Sequence, residues 1–193
     1  MTRSHKILVW DPLIRLFHWL LVAGFGIAWY TREGKYELHL MAGYGIIGLL
    51  GFRLLWGLIG PTHARFIDFV RGPRDQLRYI RSLFERRSKR YLGHNPAGGM
   101  MILLLLATLF TVTLSGVALD GAENWSGPLA DIGLFRYKER ILQIHVWSTD
   151  SLLILIPLHL LGVLQASLLH RENLVWSMIS GYKRQVHNET RLQ

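Results

Sequence analysis

The stretch ILQIHVWSTDSLLILIPLHLLGVLQASLL, Ile141 to Leu169, decides how the rest of the chain is read. It is long and apolar enough to cross a bilayer, yet it carries two histidines, His145 and His159. Fourteen residues apart on an α-helix, they fall within about 40° of one face and about 21 Å apart along the axis. That places one near each side of a hydrocarbon core about 30 Å thick. An unpaired ionisable group is costly there, so an intramembrane histidine points to function. Two on one face, one per leaflet, fit a pair of axial ligands for two stacked cofactors. The other half of each pair must come from elsewhere in the chain.

Working outward, half of the 193 residues are hydrophobic and the mean hydropathy is +0.23. The apolar residues cluster into four runs of membrane-spanning length: Leu13 to Tyr30, Leu38 to Gly60, Pro96 to Leu119 and Ile141 to Leu169. Little remains for a separate soluble domain. The expectation is therefore one all-α integral membrane domain over residues 1–193, a four-helix bundle. No small-residue cleavage site follows the first run, which is read as a mature helix and not a signal peptide.

The formal charge of +9 invites a nucleic-acid reading, but its distribution argues for topology instead. Residues 1–15, 61–95 and 170–193 hold 16 Lys and Arg; residues 31–37 and 120–140 hold 5, beside six acids. By the positive-inside rule, both termini and the middle loop are cytoplasmic, in the bacterial inner membrane. Within that loop Leu77, Ile80, Leu83 and Phe84 recur at helical spacing among Arg74, Arg78, Arg81, Arg86 and Arg87. They predict an amphipathic helix lying on the anionic leaflet. His63 and His94 flank it and are expected to be solvated. There is no cysteine, which excludes disulfides, Cys-ligated iron–sulfur clusters and covalent c-type haem.

The other candidate ligands lie in the first two spans. His18 sits about one and a half turns into the first, on the cytoplasmic side, with Arg15 three residues earlier on its face. His39 opens the second span at its periplasmic end, where an interfacial histidine is also ordinary. That span is rich in glycine (Gly43, Gly45, Gly48, Gly51, Gly57), which lets a neighbouring helix or a flat macrocycle approach the backbone. Arg53 lies deeper in the same run and needs a partner; a cofactor carboxylate or lipid phosphates would serve. In the last span Asp150 is near the bilayer middle and is expected to face a neighbouring helix, in a structural pair or a proton path. Pro157 frees a backbone carbonyl just before His159.

Topology then limits the pairings. His18 and His159 share the cytoplasmic half, and His39 and His145 the periplasmic half; His18 with His39 is excluded. Four-coordinate zinc fits poorly, because each level offers two histidines and no cysteine or paired acid. Haem fits, because its macrocycle supplies the equatorial donors and the protein adds only axial ones. With both axial positions filled, iron has no open site for a substrate, which favours electron transfer over oxygen chemistry.

These residues carry a family resemblance. Val9-Trp10-Asp11-Pro12, Arg15-Leu16-Phe17-His18-Trp19, Arg53-Leu54-Leu55-Trp56-Gly57, Gly60-Pro61 and Ala64-Arg65-Phe66 occur in that order. Gly93-His94-Asn95-Pro96 and the His145 to His159-Leu160-Leu161-Gly162-Val163 spacing follow. The chain resembles bacterial cytochrome b561-type membrane proteins, a group that includes b-type cytochrome subunits of nickel–iron hydrogenases. The resemblance implies two b haems, with His18, His39, His145 and His159 as iron ligands. It implies electron relay between the quinone pool and a periplasmic or membrane partner, such as a c-type cytochrome or a dehydrogenase or hydrogenase subunit. Oligomeric state, a homodimer included, is left open, as is whether the chain is part of an enzyme complex. Val146 and Asp150 stand where many relatives carry Glu and Asn. Two other classes remain to be separated from this reading: a proton or metal-ion transporter using His145, Asp150 and His159, and a structural membrane anchor.

Overall fold

Pro12 and Pro96 each follow an Asx residue, a pairing that starts a helix, because proline needs no donor at the first turn and the Asx side chain caps it. A computed structural model, which describes residues 6–84 and 89–184, has helices beginning at both prolines. The described elements are a strand β1 (Lys6–Leu8), helices α1 (Pro12–Thr31), α2 (Tyr36–Ile59), α3 (Phe66–Phe69), α4 (Pro73–Phe84), α5 (Pro96–Asn124), α6 (Lys138–His170) and α7 (Leu174–Ser180), and a strand β2 (Tyr182–Arg184). Two 3₁₀ turns, Gly127–Ile132 and Leu134–Tyr137, connect α5 to α6.

Helices α1, α2, α5 and α6 are long and apolar enough to cross a membrane. Between 11% and 28% of their apolar windows is buried within the chain. Residues such as Leu55, Leu58, Leu160 and Leu164 therefore face outward, an arrangement that suits lipid and not water. Hydroxyls inside the spans bond back to carbonyls one turn earlier, as Thr108 Oγ1 does to Leu104 O (2.8 Å) and Ser148 Oγ to Ile144 O (2.6 Å). They need no water in the hydrocarbon layer. The chain is a multi-pass helical bundle of the four-span type expected.

The boundaries differ from the sequence expectation chiefly at the ends read as periplasmic. Helix α2 starts at Tyr36 and α6 at Lys138, and α5 continues past Leu119 to Asn124. The extension has a cause: Asp120, expected in a loop, is buried and accepts a hydrogen bond from the Tyr36 hydroxyl. Asn124 donates to both the Tyr36 oxygen (2.6 Å) and Asp120 Oδ1 (3.2 Å).

The chain forms two compact units, residues 1–16, 56–100 and 159–193 in one and residues 17–55 and 101–158 in the other. The first unit gathers the helix ends read as cytoplasmic. Asp11 Oδ1 accepts from the backbone N–H of Leu13 and Ile14 (3.1 Å each), capping α1, and from Trp56 Nε1 (3.2 Å). Trp10 is buried, donates to Ser177 Oγ (3.3 Å) and packs on His94 at 4.6 Å between ring centres. Phe69 packs on His94 at 4.8 Å. His94 is thus an aromatic-cluster residue and not the solvated one expected, because two ring faces remove it from water. Asn95 Oδ1 caps α5 by accepting from Gly98 N (2.7 Å). Strands β1 and β2 pair antiparallel, Ile7 opposite Lys183. The carbonyl of Gly181 accepts from both Val9 N and Trp10 N. Gly181 has φ +88°, and a Cβ there would lie 2.8 Å from Trp10 O, so the turn requires glycine. Arg90 pairs with Glu172.

The amphipathic helix exists as α4, though its inward face is polar-aromatic. Gln76 and Tyr79 are buried, and Leu77 is 70% exposed. Gln76 Nε2 donates to Arg71 O (2.8 Å), and Tyr79 meets Tyr91 edge to face. Arg86 and Arg87, and the side chains of Ile80, Leu83 and Phe84, lie outside the described residues.

Candidate haem-binding site

An axial imidazole has to present a bare nitrogen to the metal, so its other nitrogen must carry the proton. The cheapest way to fix that tautomer is a carbonyl acceptor behind the ring. The second unit contains two such histidines. His39 Nδ1 lies 2.8 Å from Ala28 O, and His145 Nδ1 lies 2.9 Å from Val112 O. A carbonyl only accepts, so each Nδ1 is the donor and each Nε2 is left with its lone pair.

The two rings lie edge to face, with centres 6.2 Å apart and planes at 71°. Two metal–nitrogen bonds of about 2 Å and two ring radii of about 1 Å put trans-axial imidazole centres about 6 Å apart. A hydrogen bond between the two ring nitrogens would need a shorter separation. The separation of 6.2 Å has room for one intervening metal atom.

The surroundings fit a flat group better than a bare ion. Gly116 on α5 lies against His145, where a Cβ would be 3.1 Å from Cε1. Gly43, one turn from His39 along α2, opens onto space: outside its own stretch of helix, none of the described residues comes within 4 Å of its Cβ position. Backbone without a side chain thus borders the His145 imidazole. Among the described residues no cluster of three or more His, Cys, Asp or Glu could hold a metal ion by itself. Equatorial donors must come with the metal, as a porphyrin brings them.

The remaining sequence candidates are placed as follows. His18, on α1, and Arg53, buried on α2, belong to the second unit. His18 meets Trp19 edge-on at 5.1 Å. His159, on α6, and Arg15, on α1, belong to the first unit. His159 is part-buried, and the Arg15 guanidinium donates to Ile179 O. The structure brings together His39 and His145 within one unit; the pairing of His18 with His159 stands on the sequence. Asp150 departs from expectation. It is exposed on α6 and has no partner among the described residues, because it lies on the helix face opposite the buried Ser148 and Leu152.

Four apolar spans and a close pair of carbonyl-bonded imidazoles make a membrane protein with a candidate metalloporphyrin site. The model of one family, prokaryotic cytochrome b561, matches residues 9–181. The chain belongs to this family, and is a b-type membrane cytochrome of bacterial electron transfer that takes haem b. It is 26% identical over 218 aligned residues to a "Probable Ni/Fe-hydrogenase B-type cytochrome subunit" of Azotobacter vinelandii, covering 94% of this chain and 90% of that one. Proteins of the same description in Bradyrhizobium diazoefficiens (24%; 92% and 86% covered) and Cupriavidus necator (26%; 91% and 86%) are also similar. No solved structure matches.

Proposed function

We propose that the chain is a di-haem relay that carries electrons across the membrane between the quinone pool and a redox partner. The observation that carries this reading is the His39–His145 pair, 6.2 Å apart, with each Nδ1 held by a backbone carbonyl. A haem bound there supplies one-electron chemistry through its iron. His39 and His145 would fill both axial positions and leave no coordination site for oxygen or substrate. Their carbonyl partners hold the rings in place and raise the basicity of the ligating nitrogens.

His18 and His159 are assigned as ligands of a second, cytoplasmic-side haem from sequence topology, with Arg15 and Arg53 as the proposed partners of its propionates. Both units draw on all four spans, which supports treating residues 1–193 as one domain. The relatives named as hydrogenase cytochrome subunits make a membrane-associated nickel–iron hydrogenase the leading class of partner. A dehydrogenase subunit or a c-type cytochrome would satisfy the same chemistry.

Purified protein should give a reduced-minus-oxidised b-haem spectrum and release about two haems per chain, as four axial histidines require. One haem per chain would retain the outer site and remove the second. A folded, colourless protein would overturn the relay and leave the transporter.

A further inference from the structure

Asp150 is the acid that the electron-transfer reading does not use. It lies on α6 nine residues from Ile141, about 14 Å into a hydrocarbon layer about 30 Å thick. Its direction is settled twice over. At 100° per residue it points about 140° away from His145, and the helix positions buried within the chain, Ser148 and Leu152, lie on the opposite side. Asp150 itself is exposed. Val146, Trp147 and Ile154, one turn either side of it on the same face, are 44%, 67% and 64% exposed, and Gln143 two turns away is also exposed. No side chain among the described residues bonds to Asp150.

Lipid tails offer a carboxylate neither hydrogen bonds nor counter-charge. An aspartate is too short to reach the headgroups from this depth, unlike lysine or arginine. The face is therefore incomplete as it stands and needs protein against it. A second copy of the chain supplies no counter-charge there. Within the four apolar runs the Lys and Arg residues are Arg15 and Arg53. They sit near the start of α1 and the end of α2, the side of the membrane opposite the start of α6. A symmetric α6–α6 contact would instead set Asp150 near its own copy.

We propose that the α6 face formed by Gln143, Val146, Trp147, Asp150 and Ile154 docks a transmembrane helix of a different chain that presents a cationic side chain at the depth of Asp150. Trp147 and Ile154 supply the packing surface. Asp150 supplies the selectivity, because an unmatched charge is tolerated by neither partner in lipid. The inference rests on α6 spanning the membrane and not on the haem assignment, so either can fail without the other.

The full chain, reconstituted in liposomes with its haem, can be tested against synthetic leucine–alanine transmembrane peptides by energy transfer. The chain has no cysteine, so one added at the C-terminus takes the donor dye. Three peptides are needed: one with a single lysine at the depth of Asp150, one with that lysine in the other leaflet, and one without lysine. The matched peptide should associate at least tenfold more tightly than the other two. Asp150→Leu and Asp150→Asn should both abolish that preference while the haem spectrum is retained, since this face points away from His145. Equal association of all three peptides would overturn the proposal, as would a lysine preference that survives both substitutions. Asp150-dependent energy transfer between copies of the chain itself would replace the partner helix with a homodimer.

Discussion

His145 and His94 are both part-buried histidines, and the two units use them in opposite ways. His145 has a backbone carbonyl behind it and a second imidazole in front, so its tautomer is set and its free nitrogen has somewhere to point. His94 has the Trp10 and Phe69 rings against it and serves as packing. Burial alone does not separate a ligand from a core residue; what stands on either side of the ring does. The same contrast runs through the glycines. Gly116 makes room for His145, whereas Gly57 makes room for the Phe66 ring, which would lie 2.0 Å from a Cβ.

The sharpest way to break this comparison is to delete each ring. His145→Ala and His39→Ala should each abolish the outer haem, about half of the extractable haem if four histidines hold two irons. His94→Ala should keep the full haem spectrum and cost on the order of 1–3 kcal/mol of stability, the loss expected from removing a packed ring. Haem content and thermal unfolding, measured on the three variants, separate the roles. Retention of both haem signals in His39→Ala would remove that residue from the ligand set.

Asp11→Ala tests the first unit with a smaller expected effect. It removes the α1 cap and the Trp56 partner together, at about 1–2 kcal/mol. For a chain of this size that is about 2–8 °C in Tm. The haem spectrum should not change, since both interactions lie in the unit without the His39–His145 pair. A loss of outer-haem signal instead would mean that the two regions are not separable in this way.

The four spans were legible because long apolar runs have few alternatives in lipid, and the alternating charge of the loops fixed their order across the membrane. That His39 and His145 come close is also legible, because membrane depth restricts which residues can meet. The hydrogen bonds from Nδ1 to Ala28 and Val112 were not. They depend on which carbonyls face the rings, and every helical residue carries a carbonyl. Asp120 reads as a loop residue in the sequence because its partners, Tyr36 and Asn124, come from another helix and the next turn. For Asp150 the sequence alone favours an inward face, because burial of an acid is the usual rule inside a membrane. Its position about 140° from His145 was nevertheless computable from spacing alone.

Gly116→Ala sharpens the site rather than breaking it. The added Cβ would sit 3.1 Å from His145 Cε1, close enough that the ring must tilt by a few tenths of an ångström. Haem content should hold, while the low-spin electron paramagnetic signal of the outer haem shifts and the other stays fixed. Gly116→Leu should go further and reduce occupancy of that haem. An unchanged signal in both variants would mean that α5 does not press on the ligand.

The smallest effect expected is a pH dependence confined to the first unit. His63 lies in the loop between α2 and α3, with φ +74°, and is half-buried. Burial is the main influence and pushes its pKa below the ordinary 6.5, with Lys183 adding to the shift and Asp68 opposing it. Above pH 6.5 the ring is neutral in both folded and unfolded chains and contributes no slope. As pH falls below that value the unfolded chain takes up a proton first, so stability drops until the folded pKa is passed. The loss thus begins near pH 6.5 and levels off once folded His63 is also protonated. His63→Asn removes the titration and keeps a side chain that tolerates positive φ. Thermal unfolding between pH 8 and pH 5 should fall less steeply for this variant than for the native chain, with the two curves parallel above pH 7. The outer haem spectrum should be the same in both across that range. Identical slopes would show that His63 is hydrated well enough in the folded chain to titrate as it does when unfolded.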